Sequence, residues 1–303
     1  MKKSLLVAGS AFLFFLNACK EIGPAIDFTP QVVDTFFKVR AYDTSYTDAV
    51  PTPQNKKMLI EEYTGVQCPN CPAGATILKN YDVANPGKIV IVALHSGSLT
   101  DRIPNKSKYY FANDDVQNMV NNYLGGNVNA KPAAAIDRTP QSNGLFIVNK
   151  NQWTSAINQR ATATSPVNLT VTSRYDTAFK KVVINVKIAY TQQVTKKQNL
   201  SLWVLEDKII DAQYDGTVTI DNYEHNHVFR DFITPVTGSA ILSSVTTKSP
   251  GLVYERQLIY TPKFLGNASL DQWNLDNCKI VAVIHNDEQG DKEVAQVMEV
   301  NLK

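Results

Sequence analysis

The motif Cys68-Pro69-Asn70-Cys71 constrains this chain most, because it lies between a strand-like run, residues 58–63, and a helix-like run, residues 75–81. A sulfur on the first turn of a helix faces unpaired backbone N–H groups and the positive end of the helix dipole, which favour thiolate over thiol. Cys68 is therefore the predicted nucleophile and the more accessible thiol, and Cys71 is placed one turn further on to resolve a mixed disulfide. The pattern predicts dithiol–disulfide exchange.

Two other interpretations of this motif stay open. CxxC is half of a four-cysteine zinc site, although the other cysteines, Cys19 and Cys278, are single and far apart in the sequence. A permanently oxidised disulfide is the second alternative, since exported proteins use disulfides as staples. We favour the redox interpretation and predict neither a metal nor a cofactor.

The first 18 residues have the pattern of a bacterial signal peptide. Two lysines precede an apolar stretch, residues 5–16, that is too short to span a bilayer as a helix. Leu16-Asn17-Ala18-Cys19 then resembles a lipobox, in which the cysteine becomes the lipidated first residue of the mature chain. We expect acylated Cys19 to anchor the protein, and the lysine that follows it favours the outer membrane, on the periplasmic face or at the cell surface. The alternative is cleavage elsewhere, with Cys19 incidental.

The charge of the chain gives no support for a nucleic-acid partner. The formal net charge is +2, and the two lysines of the signal peptide account for it. A neutral mature chain without a dense Lys/Arg cluster lacks the electrostatic footprint of a nucleic-acid-binding protein. Residues 19–55 are rich in Pro, Asp, Thr and Ser and are predicted to be a lipid-anchored tether with one strand docked on the body.

Residues 56–163 alternate strand and helix signals. The run 88–94 is almost continuously apolar, as expected for a strand buried on both faces of a sheet. Helically spaced apolar residues follow at 116–124, and Pro132 opens a short apolar strand before an amphipathic stretch around Trp153. This order resembles the thioredoxin fold, in which a strand, a CxxC helix, a central strand, an inserted helix and a proline-headed strand follow one another.

The resemblance to thioredoxins implies roles for two further residues. In that family the proline at the position of Pro132 is cis, packs against the active-site disulfide and contacts the substrate backbone. A buried carboxylate six residues before the first cysteine, the position of Glu62 here, assists proton transfer from the second thiol. The alternative is that Glu61 or Glu62 only lies on a solvated face or edge.

From about residue 164 onward the hydrophobic period changes to two. Two sets of apolar residues alternate with polar ones: Val167, Leu169 and Val171, and then Ile184, Val186 and Ile188. Further strands are predicted at 200–205, 253–260, 279–284 and 294–302. Short strands separated by turns predict an antiparallel immunoglobulin-like β-sandwich. The expected fold class is α/β plus all-β, with a thioredoxin-like domain at 56–163 and a β-sandwich domain at 164–303.

A closer resemblance covers most of the mature chain. Leu59-Ile60-Glu61-Glu62-Tyr63-Thr64-Gly65, followed by Cys68-Pro69-Asn70-Cys71-Pro72, is similar to the signature of the outer-membrane-protein-28-related lipoproteins. Tyr223-Glu224-His225-Asn226-His227-Val228-Phe229-Arg230 also resembles a motif of that family's C-terminal half. The resemblance implies an envelope lipoprotein that joins a thioredoxin-like domain to a C-terminal β domain, with a poorly defined activity.

The histidines do not make a predicted catalytic site. His225 and His227 would share one face of an extended segment, so a metal pair is one interpretation, and a polar loop bonded to its own backbone is the other. His95 and His285 have no visible acid or nucleophile partner, which gives no support for a hydrolase triad. Cys278 leads into an apolar strand and is predicted to be a buried small hydrophobe.

Two functional classes therefore remain. The first is a lipid-anchored thiol–disulfide oxidoreductase that acts on exported proteins, with Cys68 and Cys71 as the reacting thiols, Pro132 shaping the substrate groove and Glu62 as proton acceptor. The second is a surface binding or adhesion lipoprotein in which Cys68–Cys71 is only a staple. The exposure and the reducibility of Cys68 distinguish the two.

Overall fold

The computed structural model describes residues 42–126, 128, 130–141, 144–263 and 273–303. The predicted signal peptide, the lipidation of Cys19 and the first part of the tether, up to residue 41, lie outside these residues. Among the residues described, no helix has both the length and the apolar character needed to cross a membrane.

The helices are α1 (Cys71–Ala84), α2 (Asp114–Asn118), which continues as a π-helical turn (Met119–Tyr123), and α3 (Trp153–Arg160). The strands are β1 (Tyr42–Thr47), β2 (Met58–Thr64), β3 (Ile89–His95), β4 (Ala133–Ile136), β5 (Val167–Asp176), β6 (Lys181–Tyr190), β7 (Gln198–Glu206), β8 (Ile209–Asp215), β9 (Val218–His225), β10 (Val228–Phe232), β11 (Ser239–Ala240), β12 (Leu252–Tyr260), β13 (Cys278–Asn286) and β14 (Val294–Asn301).

A mixed sheet forms the centre of the described chain. Its strand order is β14-β13-β7-β10-β3-β2-β4, with β11 paired to β7. β2 and β3 are parallel and buried along their whole length, as the apolar run at 88–94 predicts. β10 lies between β3 and β7 and is parallel to β3, with Val228 opposite Ala93. The sheet therefore contains strands from both sides of the boundary predicted between residues 163 and 164.

A second, antiparallel sheet has the order β1-β12-β6-β5. Its apolar face packs on the β7–β13 end of the mixed sheet, because period-two alternation places one side chain in two toward the shared core. Core residues from the two sheets include Leu169, Ile184 and Ile188 on one side and Leu202, Val204 and Ile280 on the other. Two packed sheets with antiparallel strands confirm the β character predicted for the second half of the chain.

Within the predicted tether, β1 pairs with β12 at the edge of the second sheet. Cys278 is buried in the core between the sheets, as predicted, and burial raises the pKa of its thiol to about 12.

The two acidic residues of β2 lie on opposite faces of the mixed sheet. Glu61 follows the side that carries Leu59 and Tyr63, whereas Glu62 follows the side of Ile60, which packs with α1 and α3. Glu61 is 0% and Glu62 is 3% exposed, so the alternative of a solvated face is wrong for both. Both positions are covered because β2 lies between β3 and β4 with packed elements on each side.

The packing of α1 predicts that a methyl group added at Gly74 destabilises the protein. A Cβ added at Gly74 would lie 2.9 Å from Cη2 of Trp153 and 3.2 Å from Cβ of Pro132. The indole is fully buried and its Nε1–H donates to the Ile147 carbonyl at 2.8 Å, so the ring has little freedom to withdraw. We expect Gly74→Ala to lower the free energy of unfolding by about 1–3 kcal/mol, although Gly→Ala ordinarily favours a helix.

Urea denaturation of Gly74→Ala, Trp153→Phe and the double variant checks this expectation. The smaller ring gives the new methyl group room, so the double variant should lose less stability than the two single changes added together. Strict additivity would contradict the proposed overlap.

Candidate functional site

The two cysteines of the motif form a disulfide, with their Cα atoms 5.4 Å apart. α1 begins at Cys71, with a proline in its first turn, and Cys68 lies in the turn before it. The expectation that Cys68 begins the helix is therefore wrong, because Pro72 is suited to the first turn and the residues before it form a tight turn. That turn is closed by the Cys68 N–H, which donates to Gly65 O at 3.0 Å. The helix N-terminus lies at Cys71 rather than at Cys68.

A hairpin from the second half of the chain covers this turn. Among the described strands, β8 and β9 pair only with each other, as a two-stranded sheet. The Tyr214 N–H donates to Val66 O and the Gly216 N–H donates to Pro69 O, both at 2.9 Å. Cys68 is 0% exposed beneath the hairpin and Cys71 is 2% exposed. The prediction that Cys68 is the more accessible sulfur is therefore wrong, and the hairpin is the physical reason.

Gln213 fixes the hairpin to the turn most directly. Its buried side-chain amide donates to Gly65 O at 3.3 Å, Cys68 O at 3.1 Å and Tyr214 O at 2.9 Å. Replacing it with Ala leaves these carbonyls without that donor, and we expect a loss of about 1–3 kcal/mol of stability. We also expect faster reduction of the disulfide by a phosphine, followed by mass spectrometry. The exposed Gln192→Ala is the control, and equal reduction rates in both variants would contradict this role.

A groove of about 530 Å³ lies beside the disulfide. Its floor is formed by residues of β2 and β3, one wall by α1 and the other by residues 223–228. Cys71 lines this groove, whereas Cys68 is not among its lining residues. The segment 223–228, which the sequence marked only as a motif, thus forms part of the same site as the CxxC helix.

Glu62 lies in the floor of the groove without a partner for one of its carboxyl oxygens. Oε1 is buried and makes no hydrogen bond. Burial raises the pKa of Glu62 to about 8, so the carboxyl group is mostly protonated at neutral pH. A carboxyl group with a pKa of about 8 exchanges its proton easily near neutral pH. It can therefore give or take a proton in the groove as a neighbouring group changes its charge.

Two histidines also line the groove, one from each half of the chain. His95 ends β3 and His225 ends β9; their ring centroids are 6.4 Å apart, and the Phe111 ring lies 5.0 Å from each. Nδ1 of His95 and Nε2 of His225 are buried without hydrogen-bond partners. Burial lowers the pKa of His95 well below its usual range and that of His225 to about 4. Both rings are therefore neutral at neutral pH.

His225 and His227 do not form a metal pair. His227 lies in the turn before β10 with a φ of 58°, and its Nδ1 is 3.5 Å from the Asp207 carboxylate. The His227 N–H also donates to that carboxylate at 2.7 Å. Across the described ranges, no group of three or more His, Cys, Asp or Glu residues is arranged to hold a metal ion. The zinc interpretation of Cys68 and Cys71 receives no support either, since the two sulfurs are bonded to each other.

Pro132 lies at the head of β4, and the Lys131–Pro132 peptide bond is cis, as the resemblance implied. Its ring approaches α1 at Gly74. The Lys131 ammonium donates to the carbonyls of Ser96 and Ser98, and burial lowers the pKa of Lys131 to about 8. The lysine before the proline therefore ties the loop after β3 to the loop before β4.

One histidine has partners that the sequence did not reveal. His285 Nε2 lies 2.9 Å from Oγ of Ser201, and its Nδ1 lies 3.2 Å from the Tyr123 hydroxyl. Ser201 and His285 are buried in the core, and burial lowers the pKa of His285 to about 3. The register of β7 and β13 brings them together from positions 84 residues apart. Because both side chains are buried in the core, we interpret this network as structural.

A comparison with known protein families identifies the family of this chain. A family model described as "Outer membrane protein Omp28" matches residues 118–303, more than half of the sequence. The chain belongs to the Omp28 family. The matched part includes the segment 223–228 of the groove, whereas the CxxC motif precedes it. Membership indicates an outer membrane protein, in agreement with the resemblance of the sequence motifs. No curated protein matches the chain.

Two solved structures align with the chain. HBP35 of Porphyromonas gingivalis aligns with a TM-score of 0.60 at 15% identity, over 83% of this chain and 77% of that one. A protein of Agrobacterium tumefaciens aligns with a TM-score of 0.47 at 12% identity, over 83% of this chain and 97% of that one. At 15% identity, the likeness to HBP35 concerns the fold alone.

Proposed function

We propose that this Omp28-family chain is an outer-membrane lipoprotein, anchored through acylated Cys19, whose Cys68–Cys71 pair exchanges with thiols or disulfides of exported proteins. The observation that carries the proposal is the buried carboxyl group of Glu62, whose Oε1 has no hydrogen-bond partner, in the groove that Cys71 lines. Burying a polar group without a partner costs about 1–3 kcal/mol. A structural disulfide gains nothing from such a group, whereas exchange needs a proton acceptor near the pair.

The order of elements around the pair supports a thioredoxin-like arrangement. β2 leads into the CxxC turn and α1, β3 follows in parallel, and β4 begins after a cis proline. In the reduced pair, the Cys68 thiolate would attack a substrate disulfide and release one substrate thiolate. The Cys71 sulfur would then attack Sγ of Cys68 and release the second, while the ionised fraction of Glu62 takes the Cys71 proton. For a protein substrate to reach Cys68, the β8–β9 hairpin would have to move. The second sheet would be the immunoglobulin-like part of the same chain.

The reduction potential of the pair tests the proposed exchange. Equilibration of the mature chain in thiol–disulfide buffers should give a value between about −120 mV, typical of an oxidant, and about −270 mV, typical of a reductant. Cys71→Ser should capture substrates from envelope extracts as mixed disulfides, and Cys68→Ser should not. A potential below about −300 mV, with no captured partner, would show that the pair is inert.

A second candidate function is a binding or adhesion lipoprotein in which the disulfide is a staple. The complete burial of Cys68 beneath the hairpin favours it. Under this candidate, the native chain keeps its disulfide in strong thiol buffer and releases it only on unfolding.

The proposed anchor has its own test. Mass spectrometry of the protein from cell envelopes should show acyl chains on an N-terminal Cys19. An unmodified N-terminus beyond Cys19, or recovery entirely in the soluble fraction, would remove the anchor from the proposal.

A further inference from the structure

We infer that the groove beside Cys71 binds a low-molecular-weight, zwitterionic thiol of amino-acid to tripeptide size, whose sulfur exchanges with Cys71. This inference rests on the proposed exchange function. It identifies the chemical class of the redox partner that would reduce the Cys68–Cys71 disulfide. It assigns the first contact with that partner to Cys71 rather than to Cys68.

Access decides which sulfur a small partner reaches. The β8–β9 hairpin covers the turn that carries Cys68, and Gln213, Tyr214 and Gly216 donate hydrogen bonds to that turn. Cys68 does not line the groove. Cys71 lines the groove together with Pro72 and Ala75 of the same helix. Since exchange requires the attacking sulfur to approach the disulfide directly, the open side of the pair is that of Cys71.

The size of the groove favours a small molecule over a folded partner. Its volume of about 530 Å³ lies within the range of ligand pockets, roughly 300–1,000 Å³. The floor presents two buried polar atoms without hydrogen-bond partners, Oε1 of Glu62 and Nδ1 of His95, and the wall at 223–228 presents a third, Nε2 of His225. Buried polar groups in native proteins are nearly all paired, so these atoms indicate a site completed by a polar occupant.

The charges at the rim favour a zwitterion. Lys79 is exposed on the α1 wall and can receive a carboxylate. Asp82, half-buried on the same wall, and Glu224, exposed on the opposite wall, can receive an ammonium group. Amino acids and short peptides that carry a thiol present both charges, whereas thiols with one charge can pair with either the cationic or the acidic groups of the rim but not with both.

The exchange balances with two molecules of the thiol. One thiolate attacks Sγ of Cys71, the Sγ–Sγ bond breaks, and its electron pair leaves on Cys68, which takes up a proton. A second thiolate attacks the small-molecule sulfur of the mixed disulfide, which releases the small disulfide and leaves Cys71 to take up a proton. The thiol is oxidised to its disulfide and the protein disulfide is reduced to the dithiol.

Reduction of the oxidised mature chain by cysteine, glutathione and cysteamine tests the inference, with rates expressed per thiolate. Cysteamine lacks the carboxylate. We expect rates that saturate with concentration for cysteine or glutathione and that rise linearly for cysteamine. Ala75→Trp, which fills the groove wall, should slow the zwitterionic thiols at least about tenfold, and Ala73→Trp, on the exposed face of the same helix, should leave them unchanged.

Single-cysteine variants locate the reacting sulfur. With oxidised glutathione, Cys68→Ser should form an adduct on Cys71 at least about tenfold faster than Cys71→Ser forms one on Cys68. Linear kinetics for all three thiols, equal rates in the two tryptophan variants, or faster modification of Cys68 would overturn the inference and leave the proposed exchange with proteins intact. A disulfide that no thiol reduces in the native chain would overturn both.

Discussion

Glu62→Gln is expected to stabilise the protein at alkaline pH by several kcal/mol and to change little near pH 4. Burial raises the pKa of Glu62 to about 8 in the folded chain, whereas the unfolded chain titrates near the ordinary value of 4.5. The folded state therefore binds the proton more tightly. Its stability is complete below pH 4.5 and falls as the pH rises through 8, by on the order of 5 kcal/mol in total.

The amide of Gln removes this pH dependence because it has no charge to bury. Urea denaturation of the oxidised protein at pH 5 and pH 9 measures the difference between wild type and variant at each pH. The difference in the free energy of unfolding between Glu62→Gln and wild type should be small at pH 5 and several kcal/mol at pH 9. Glu224→Gln, at the exposed rim of the groove, should show no such increase. A gap that is constant with pH would mean that Glu62 is not buried as a neutral acid.

Arg138→Met is expected to be among the most destabilising substitutions in the chain. The Arg138 guanidinium contacts the Glu61 carboxylate at 2.8 Å through Nη2 and at 3.1 Å through Nε, and both side chains are almost completely buried. Removing the cation leaves the carboxylate buried without its counter-charge, which costs about 3–5 kcal/mol. Thermal and urea unfolding measure the loss.

The double variant Glu61→Leu/Arg138→Met decides whether the loss comes from the stranded charge. Because it removes both charges, it should recover most of the stability that Arg138→Met loses. Lys106→Met breaks an exposed pair with Asp221 and should cost no more than about 1 kcal/mol. A double variant as unstable as the single one would point to packing against Trp203, which Arg138 also contacts.

The sequence predicts the strands better than it predicts the site. Apolar runs predict β3 and β13, because both strands are buried along almost their whole length. The role of Glu62 near Cys68 is implied by a family resemblance, and its burial follows from the position of β2 between β3 and β4. These features depend on residues that are close together in the sequence or on one repeating pattern.

The cover on Cys68 could not be predicted in this way. Gln213 and Cys68 are 145 residues apart in the sequence. The hydrogen bond from the Gln213 side chain to Cys68 O depends on the direction that β8 takes after β7. β9 is largely exposed and its apolar alternation is weak, so it carries little signal of its own. His225 was visible as part of a motif, yet only β10, paired with β3, brings it to the groove.

The position of β10 also determines how the chain can be divided. A fragment that ended at residue 163 would keep the CxxC helix but would lose β10, whose Val228 lies opposite Ala93, and would uncover the edge of β3 and the apolar side chains that β3 packs against β7 and β10. We expect such a fragment to self-associate through that edge rather than behave as a portable redox module. Insertions, deletions and fusions in this family would then be tolerated in loops away from β3 and β10. They would be selected against where these two strands pair.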